Sequence, residues 1–163
     1  MALFKKREVK RGIEVEDHSL HLPAKRVVQF LEREHIATFT LQFEGELWSW
    51  HAFYRYLPQE NLLITLSTPD SRHATLLAQM ESPIVSGGIS VKSRVVKKIR
   101  GVQFLAVAER GSQETFSRYR SKYLSRFPQA VLYPKGELWL FTLNYIKYSD
   151  NRFKFGEKYI WPL

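Results

Sequence analysis

The 163-residue sequence contains no cysteine, which removes disulfides, thiolate metal sites and cysteine nucleophiles from consideration. No apolar run approaches the length of a membrane span. The opening residues, MALFKKREVKRG, carry no apolar stretch of the signal-peptide kind, so the expectation is a soluble cytoplasmic protein with no membrane partner. Internal repeats, low-complexity segments, a Gly-x-Ser-x-Gly elbow and a Walker-type loop are all missing. The five histidines, His18, His21, His35, His51 and His73, lack the paired spacing of a zinc site, so no metal is expected.

Acidic side chains are scarce beside basic ones, 16 against 25, for a formal charge of +9. Such a balance raises nucleic acid as a partner, because clustered cations release phosphate counterions on binding. The excess is uneven, however: residues 1–12 contribute +4, and the rest of the chain is only mildly basic at +5. We therefore divide the chain into a basic, solvated tail at 1–20 and one domain at 21–163, large enough for a real core. Nucleic acid is not the favoured partner.

Along the domain, LHLPAKRVVQFLEREH reads as a helix with Pro23 at its first position and Val27, Phe30 and Leu31 on one face, Val28 beside them. The period then changes to two. IATFTLQF and ELWSWHAFYRYLP flank Glu44-Gly45 as a hairpin, with Phe39, Leu41 and Phe43 alternating on one side. NLLITLST is a third strand, PIVSGGISV a fourth that Gly87-Gly88 would weaken and bend, and VVKKIRGVQFLAVAER a fifth after a basic turn at Lys92 to Arg94. SQETFSRYRSKYLSRFP carries Phe116, Tyr119, Tyr123 and Phe127 at helical spacing, a stripe read as core. GELWLFTLNYIKYSD is a sixth strand, and the aromatic end NRFKFGEKYIWPL follows it. Such an order predicts a mainly β fold, a closed or partly closed antiparallel barrel of six or seven strands with about three helices.

The junction STPDSRHA, between the third strand and a short helix, holds the strongest chemical signal. Pro69 and Asp70 or Ser71 supply turn and cap chemistry, and Ala74, Leu77, Ala78 and Met80 supply the buried stripe. Arg72 and His73 open the helix, where cations oppose the dipole. An anion bound there would offset that cost. The plainer alternative is a Ser71 that caps the helix and an Arg72 that faces solvent.

A strand ending in Ser/Thr, a short turn and Ser-Arg before a helix, set in a small antiparallel barrel, resembles the FMN-binding split barrels of the pyridoxamine-phosphate oxidase type, and within them the YhbP-like branch. The resemblance runs from about Lys25 to Trp161. Its most specific pieces are EGELW and AFY (Glu44 to Tyr54), SRHA (Ser71 to Ala74), IRGVQF (Ile99 to Phe104), RFP (Arg126 to Pro128) and SDNRFKFGEKYIW (Ser149 to Trp161). It implies a homodimer with flavin mononucleotide at the subunit interface and an oxidoreductase whose small-molecule substrate is not specified.

Residue by residue, the resemblance assigns Arg72 to the flavin phosphate, with Ser71 beside it and His73 where the oxidases have lysine. Leu66, Ser67 and Thr68 border the flavin. The segment beginning His51, Ala52 and Phe53 lines its ring, without the terminal arginine and lysine of the oxidases. Gly101 stands where the oxidases have a flavin-touching glutamine, and Gln103, two residues on, takes the same strand face. Trp139 is placed with the cofactor at the subunit boundary, together with the final segment, and Trp48, Trp50 and Trp161 add to the apolar surface expected there. The oxidase residues that hold a substrate phosphate have no counterpart. A non-enzymatic binding module, a barrel that has lost flavin and uses its groove for another ligand or for nucleic acid, is the competing reading.

Overall fold

A computed structural model describes residues 23–152 and 155–162. The basic tail, His18 and His21 lie outside the described residues. The elements are α1 (Lys25–Arg33), β1 (Ile36–Phe43), β2 (Glu46–Leu57), β3 (Leu62–Ser67), α2 (Arg72–Leu77), β4 (Ile84–Ser90), β5 (Arg100–Arg110), α3 (Gln113–Arg126), β6 (Glu137–Asp150) and β7 (Lys158–Pro162).

All seven strands form one antiparallel sheet in the order β3-β2-β1-β4-β5-β6-β7, and β3 also pairs with β6. That extra pairing closes six strands into a barrel and leaves β7 on the outside of β6. One long strand therefore serves three partners. Its pairing with β5 shifts register between Leu105 and Ala106. The bulge turns the strand and changes which residues face inward, so Trp139, Phe141 and Leu143 are buried before it and Ile146 and Tyr148 after it.

The hairpin at Glu44-Gly45 is as expected: both residues have positive φ, 49° and 87°, the combination that matches the twist of two-residue hairpins. Phe39, Trp50, Tyr54, Phe104 and Phe141 fill the barrel. A second apolar layer forms where Tyr119, Tyr123 and Phe127 of the α3 stripe pack on Ile64, Leu138 and Leu140. β3 and the first half of β6 are thus covered on both faces, the physical reason that NLLITL is apolar without alternation.

Several local expectations are corrected. α1 begins at Lys25, because Ala24 has extended backbone and leaves Pro23 two residues ahead of the helix. α2 is only six residues long, so Ala74 and Leu77 are buried while Ala78 is exposed at its end. β5 starts at Arg100. The Val96–Lys98 segment before it is a 3-10 turn, held by the Asn151 amide on the Val96 carbonyl at 3.1 Å. Gly87-Gly88 does not break β4, which pairs on both sides at these residues. A Cβ on Gly87 would lie 2.2 Å from Phe104 Cζ, so the missing side chain makes room for that ring.

Candidate functional site

β3 ends at Ser67, and the chain turns through residues 68–71 into α2. Ser71 occupies the N-cap position but does not cap the helix with its side chain. Its hydroxyl donates instead to the Thr68 carbonyl at 2.8 Å, tightening the turn. The short helix then lays its first two side chains over the first half of β2. The Arg72 guanidinium sits 4.8 Å above the Trp48 ring, and the His73 ring stacks on Trp50 at 4.9 Å with a 5° interplanar angle.

These neighbours give the two residues different chemistry. His73 Nε2 lies 2.8 Å from Ser67 Oγ and 3.3 Å from Ser71 Oγ, and burial pushes its pKa below the ordinary imidazole value. At neutral pH it is an uncharged hydrogen-bonding group. Arg72 donates Nη2 to Glu46 Oε2 at 3.0 Å, and both side chains are more than half exposed. An exposed pair of this kind contributes roughly 0–1 kcal/mol, so a stronger anion can displace the carboxylate.

Beside the turn lies a cavity of about 320 Å³, lined by Phe53, Leu66, Ser67 and Thr68 among the residues singled out in the sequence. Tyr123 of α3, Phe127 just past its end, and Gln129 and Tyr133 after it form the remaining wall that matters here. The sequence reading took the α3 stripe as core only. In the structure Tyr123 and Phe127 are both core and cavity wall, and the signal was the continuation of the aromatic pattern past the helix in RFPQAVLY.

The structure brings together Ser67, Ser71 and His73 at the turn that carries Arg72, and Phe53, Leu66, Ser67 and Thr68 at the cavity beside it. His51 lies two residues along the same outer face of β2 as Phe53, and Gln103 farther across that face of the sheet. His51 pairs with Thr38, Thr38 with Gly88 and Gly88 with Gln103, a row across β2, β1, β4 and β5. Three strand spacings separate its ends, roughly 14 Å. His51 Nδ1 is 2.9 Å from Thr38 Oγ1, Gln103 is exposed, and Gly101 pairs with Ser90 and Ser149 two residues along from Gln103. Ala52 points toward the core from the opposite face of β2.

Trp139, expected at the subunit boundary, is 2% exposed and packed in the barrel core, as are Trp50 and Trp161. These rings are covered within one chain, Trp50 by Phe39, His73 and Phe141. Trp48 alone of the four stands partly open, under Arg72. Uncovered apolar side chains stand on the outer face at Ile36, Leu47, Phe53 and Ile84, and off it at Val131, Leu132, Tyr133 and Phe155 among others.

No family model matches the chain. Curated relatives do: the UPF0306 protein YhbP of Escherichia coli strain SMS-3-5 is 36% identical over 137 residues, covering 83% of this chain and 90% of its own length. This chain belongs to the UPF0306 (YhbP) family. A second member, from Citrobacter koseri, is 34% identical with the same coverage.

Among solved structures, a putative pyridoxamine 5'-phosphate oxidase from Listeria innocua matches with TM-score 0.60 at 12% identity, over 76% of this chain and 94% of its own. A FAD-binding protein from Mesorhizobium loti matches with TM-score 0.62 at 14% identity, over 77% and 92%. A heme binding protein from Mycobacterium smegmatis matches with TM-score 0.65 at 18% identity, over 79% and 53%. At these identities the likeness shows the fold, a split barrel of the pyridoxamine-phosphate oxidase type.

The residues at the turn fit a flavin nucleotide. The exposed Arg72 guanidinium is a donor for a phosphate, and the adjoining cavity offers apolar and aromatic walls to a planar ring system. Among the described residues no cluster of three or more His, Asp or Glu offers a metal site, and no helix is long and apolar enough to cross a membrane.

Proposed function

We propose that this protein is a flavin-binding split-barrel oxidoreductase that takes flavin mononucleotide at the β3–α2 turn. The reading is supported above all by Arg72: next in the chain to Ser71 and His73, its guanidinium is exposed over the Trp48 ring and has an easily displaced carboxylate partner. Arg72 takes the phosphate through paired N–H donors. His73, uncharged, gives position rather than charge: stacked on Trp50 and bonded to Ser67, it fixes the turn that presents Arg72. A bound flavin would supply the electron transfer, which no side chain of this cluster performs.

We also propose a homodimer built on the outer sheet face. Ile36, Leu47, Phe53 and Ile84 are 46–71% exposed there, among small side chains such as Thr38, Ser49 and Ser86 that allow close approach. Such a face carries His51 and Gln103 as well, so pairing would bring them to the subunit boundary.

The test is direct. The purified protein, or the protein mixed with flavin mononucleotide and dialysed, is expected to show a flavin absorption spectrum and to release fluorescent flavin on heating. A protein that remains colourless after both treatments overturns the reading.

A further inference from the structure

The turn between β4 and β5 joins two features that surface turns ordinarily keep apart. Residues 91–100, VKSRVVKKIR, hold five cations and no acid, and Lys92, Arg94, Lys97 and Lys98 are exposed. Among the described residues no carboxylate pairs with these four. Asp150, opposite Arg100 in the β5–β6 register, is already held by Arg152 and by the Tyr148 hydroxyl. Between the cations stand Val95, Val96 and Ile99, 41–53% exposed. Cations at the end of a hairpin keep strands from pairing wrongly, but open aliphatic side chains in the same turn work against that end.

The turn is closed by its own hydrogen bonds. Ser93 Oγ accepts from the Val95 N–H at 3.1 Å and donates to the Val95 carbonyl at 3.2 Å. Lys98 and Ile99 donate their N–H groups to the Val95 and Val96 carbonyls at 2.9 and 3.1 Å. Asn151, just past β6, ties the turn to the barrel: its side-chain amide donates to the Val96 carbonyl and its N–H to the Ile99 carbonyl, both at 3.1 Å. Because these backbone groups are satisfied within the protein, taking them out of water costs little. The valines are therefore presented on a rigid, dry-ready backbone. Nucleic acid would use the cations and leave the aliphatic carbon against sugar and phosphate, whereas a lipid surface uses both.

We propose that the β4–β5 turn docks this protein on an anionic lipid membrane. Val95, Val96 and Ile99 enter the headgroup layer, and Lys92, Arg94, Lys97 and Lys98 meet the lipid phosphates around them. The contact lies on the membrane without crossing it, and it departs from the expectation of no membrane partner, whose grounds excluded only a span and a leader. The proposal is independent of the flavin reading. β5 is 11 residues long and ends at Arg110, which pairs with Glu137, itself opposite Ser67, so the docking turn and the β3–α2 turn lie roughly 30 Å apart at opposite ends of the strand.

Vesicle sedimentation with the full chain tests this, using vesicles of phosphatidylcholine alone and of equal parts phosphatidylcholine and phosphatidylglycerol. Binding is expected to the mixed vesicles only, and to fall with added salt. Lys97→Gln with Lys98→Gln should weaken it by about thirtyfold, the effect of two cations near the surface. Val95→Ser with Val96→Ser, which leaves every charge in place, should weaken it by about tenfold. All four positions are exposed, and circular dichroism of each variant checks that the fold is unchanged. The basic residues 1–12 are the same in every variant, so they do not produce these differences.

Equal binding to the two kinds of vesicle, or to neither, overturns the proposal. It is also overturned if either pair of substitutions leaves binding unchanged. Loss with the lysine pair alone would describe a purely electrostatic surface, and fluorescence anisotropy with a DNA duplex would then identify it as a nucleic-acid surface by the same dependence on the lysines.

Discussion

At the scale of single residues, Arg72 and His73 separate charge from position. A charge-assisted hydrogen bond contributes about 1.5–3 kcal/mol, so Arg72→Ala should weaken flavin mononucleotide by roughly 10- to 150-fold. Riboflavin, without a phosphate, should scarcely respond, and paired titrations of the two flavins measure the difference. The fold should survive, since Arg72 is exposed and leaves only a weak surface ion pair behind. His73 carries a pH signature instead. Its folded pKa lies below the unfolded value near 6.5, so the folded state binds the proton less well than the unfolded chain. Stability is therefore full above about pH 6.5 and falls as the pH drops below it. Urea denaturation at pH 7.5 and 5.5 is expected to show that loss in the native protein and a smaller one in His73→Phe, which keeps the stack on Trp50. Sequence alone marked both positions as unusual but could not divide their roles, because the lowered pKa comes from burial by residues more than twenty positions away, Trp50 among them.

Elements meet in this barrel through a few buried polar residues. Asn61, between β2 and β3, has φ 47° and is 6% exposed. It accepts from the Tyr56 hydroxyl at 2.8 Å and donates to the Leu143 carbonyl at 3.0 Å, while its own carbonyl accepts from Leu143 N–H at 3.0 Å. Its contacts join the β2–β3 turn to β6 beside the bulge. Asn61→Ala removes both side-chain bonds, each lost partner costing about 1–3 kcal/mol, and puts a Cβ in left-handed backbone for about 1–2 kcal/mol more. Asn61→Gly loses the same bonds without the backbone cost. Both variants should be destabilised, alanine more than glycine, by urea denaturation; the reverse order would assign Asn61 no conformational role. Most strands were legible because period-two alternation depends on neighbours in sequence. The start of β5 was not, since Asn151 holds the turn before it from afar.

On the scale of the whole molecule, the proposed dimer is tested at the uncovered sheet face. Leu47 and Ile84 are 71% and 68% exposed on that face. If it pairs two copies, light scattering at micromolar concentration should give about twice the 19.2 kDa chain mass, and Leu47→Lys with Ile84→Lys should return the monomer without loss of circular dichroism. A native protein that scatters as a single chain would remove the dimer. Tryptophan content pointed to an interface, yet three of the four rings are buried within one chain, so residue type did not locate the surface.

The sequence by itself determined the strand pattern, the Glu44-Gly45 hairpin, the absence of cysteine chemistry and the peculiarity of STPDSRHA, all of which depend on residue identity and short spacing. Only the tertiary structure decided that β3 closes on β6, that Trp139 is core, and that His51 and Gln103 share an outer row while Arg72 and His73 crown the barrel end. The cavity was likewise a tertiary outcome, for its walls come from β2, β3, α3 and the turn after it, which are far apart in sequence and meet only when the barrel closes. Closure is a long-range hydrogen-bonding event, and no local pattern specifies which strands it joins.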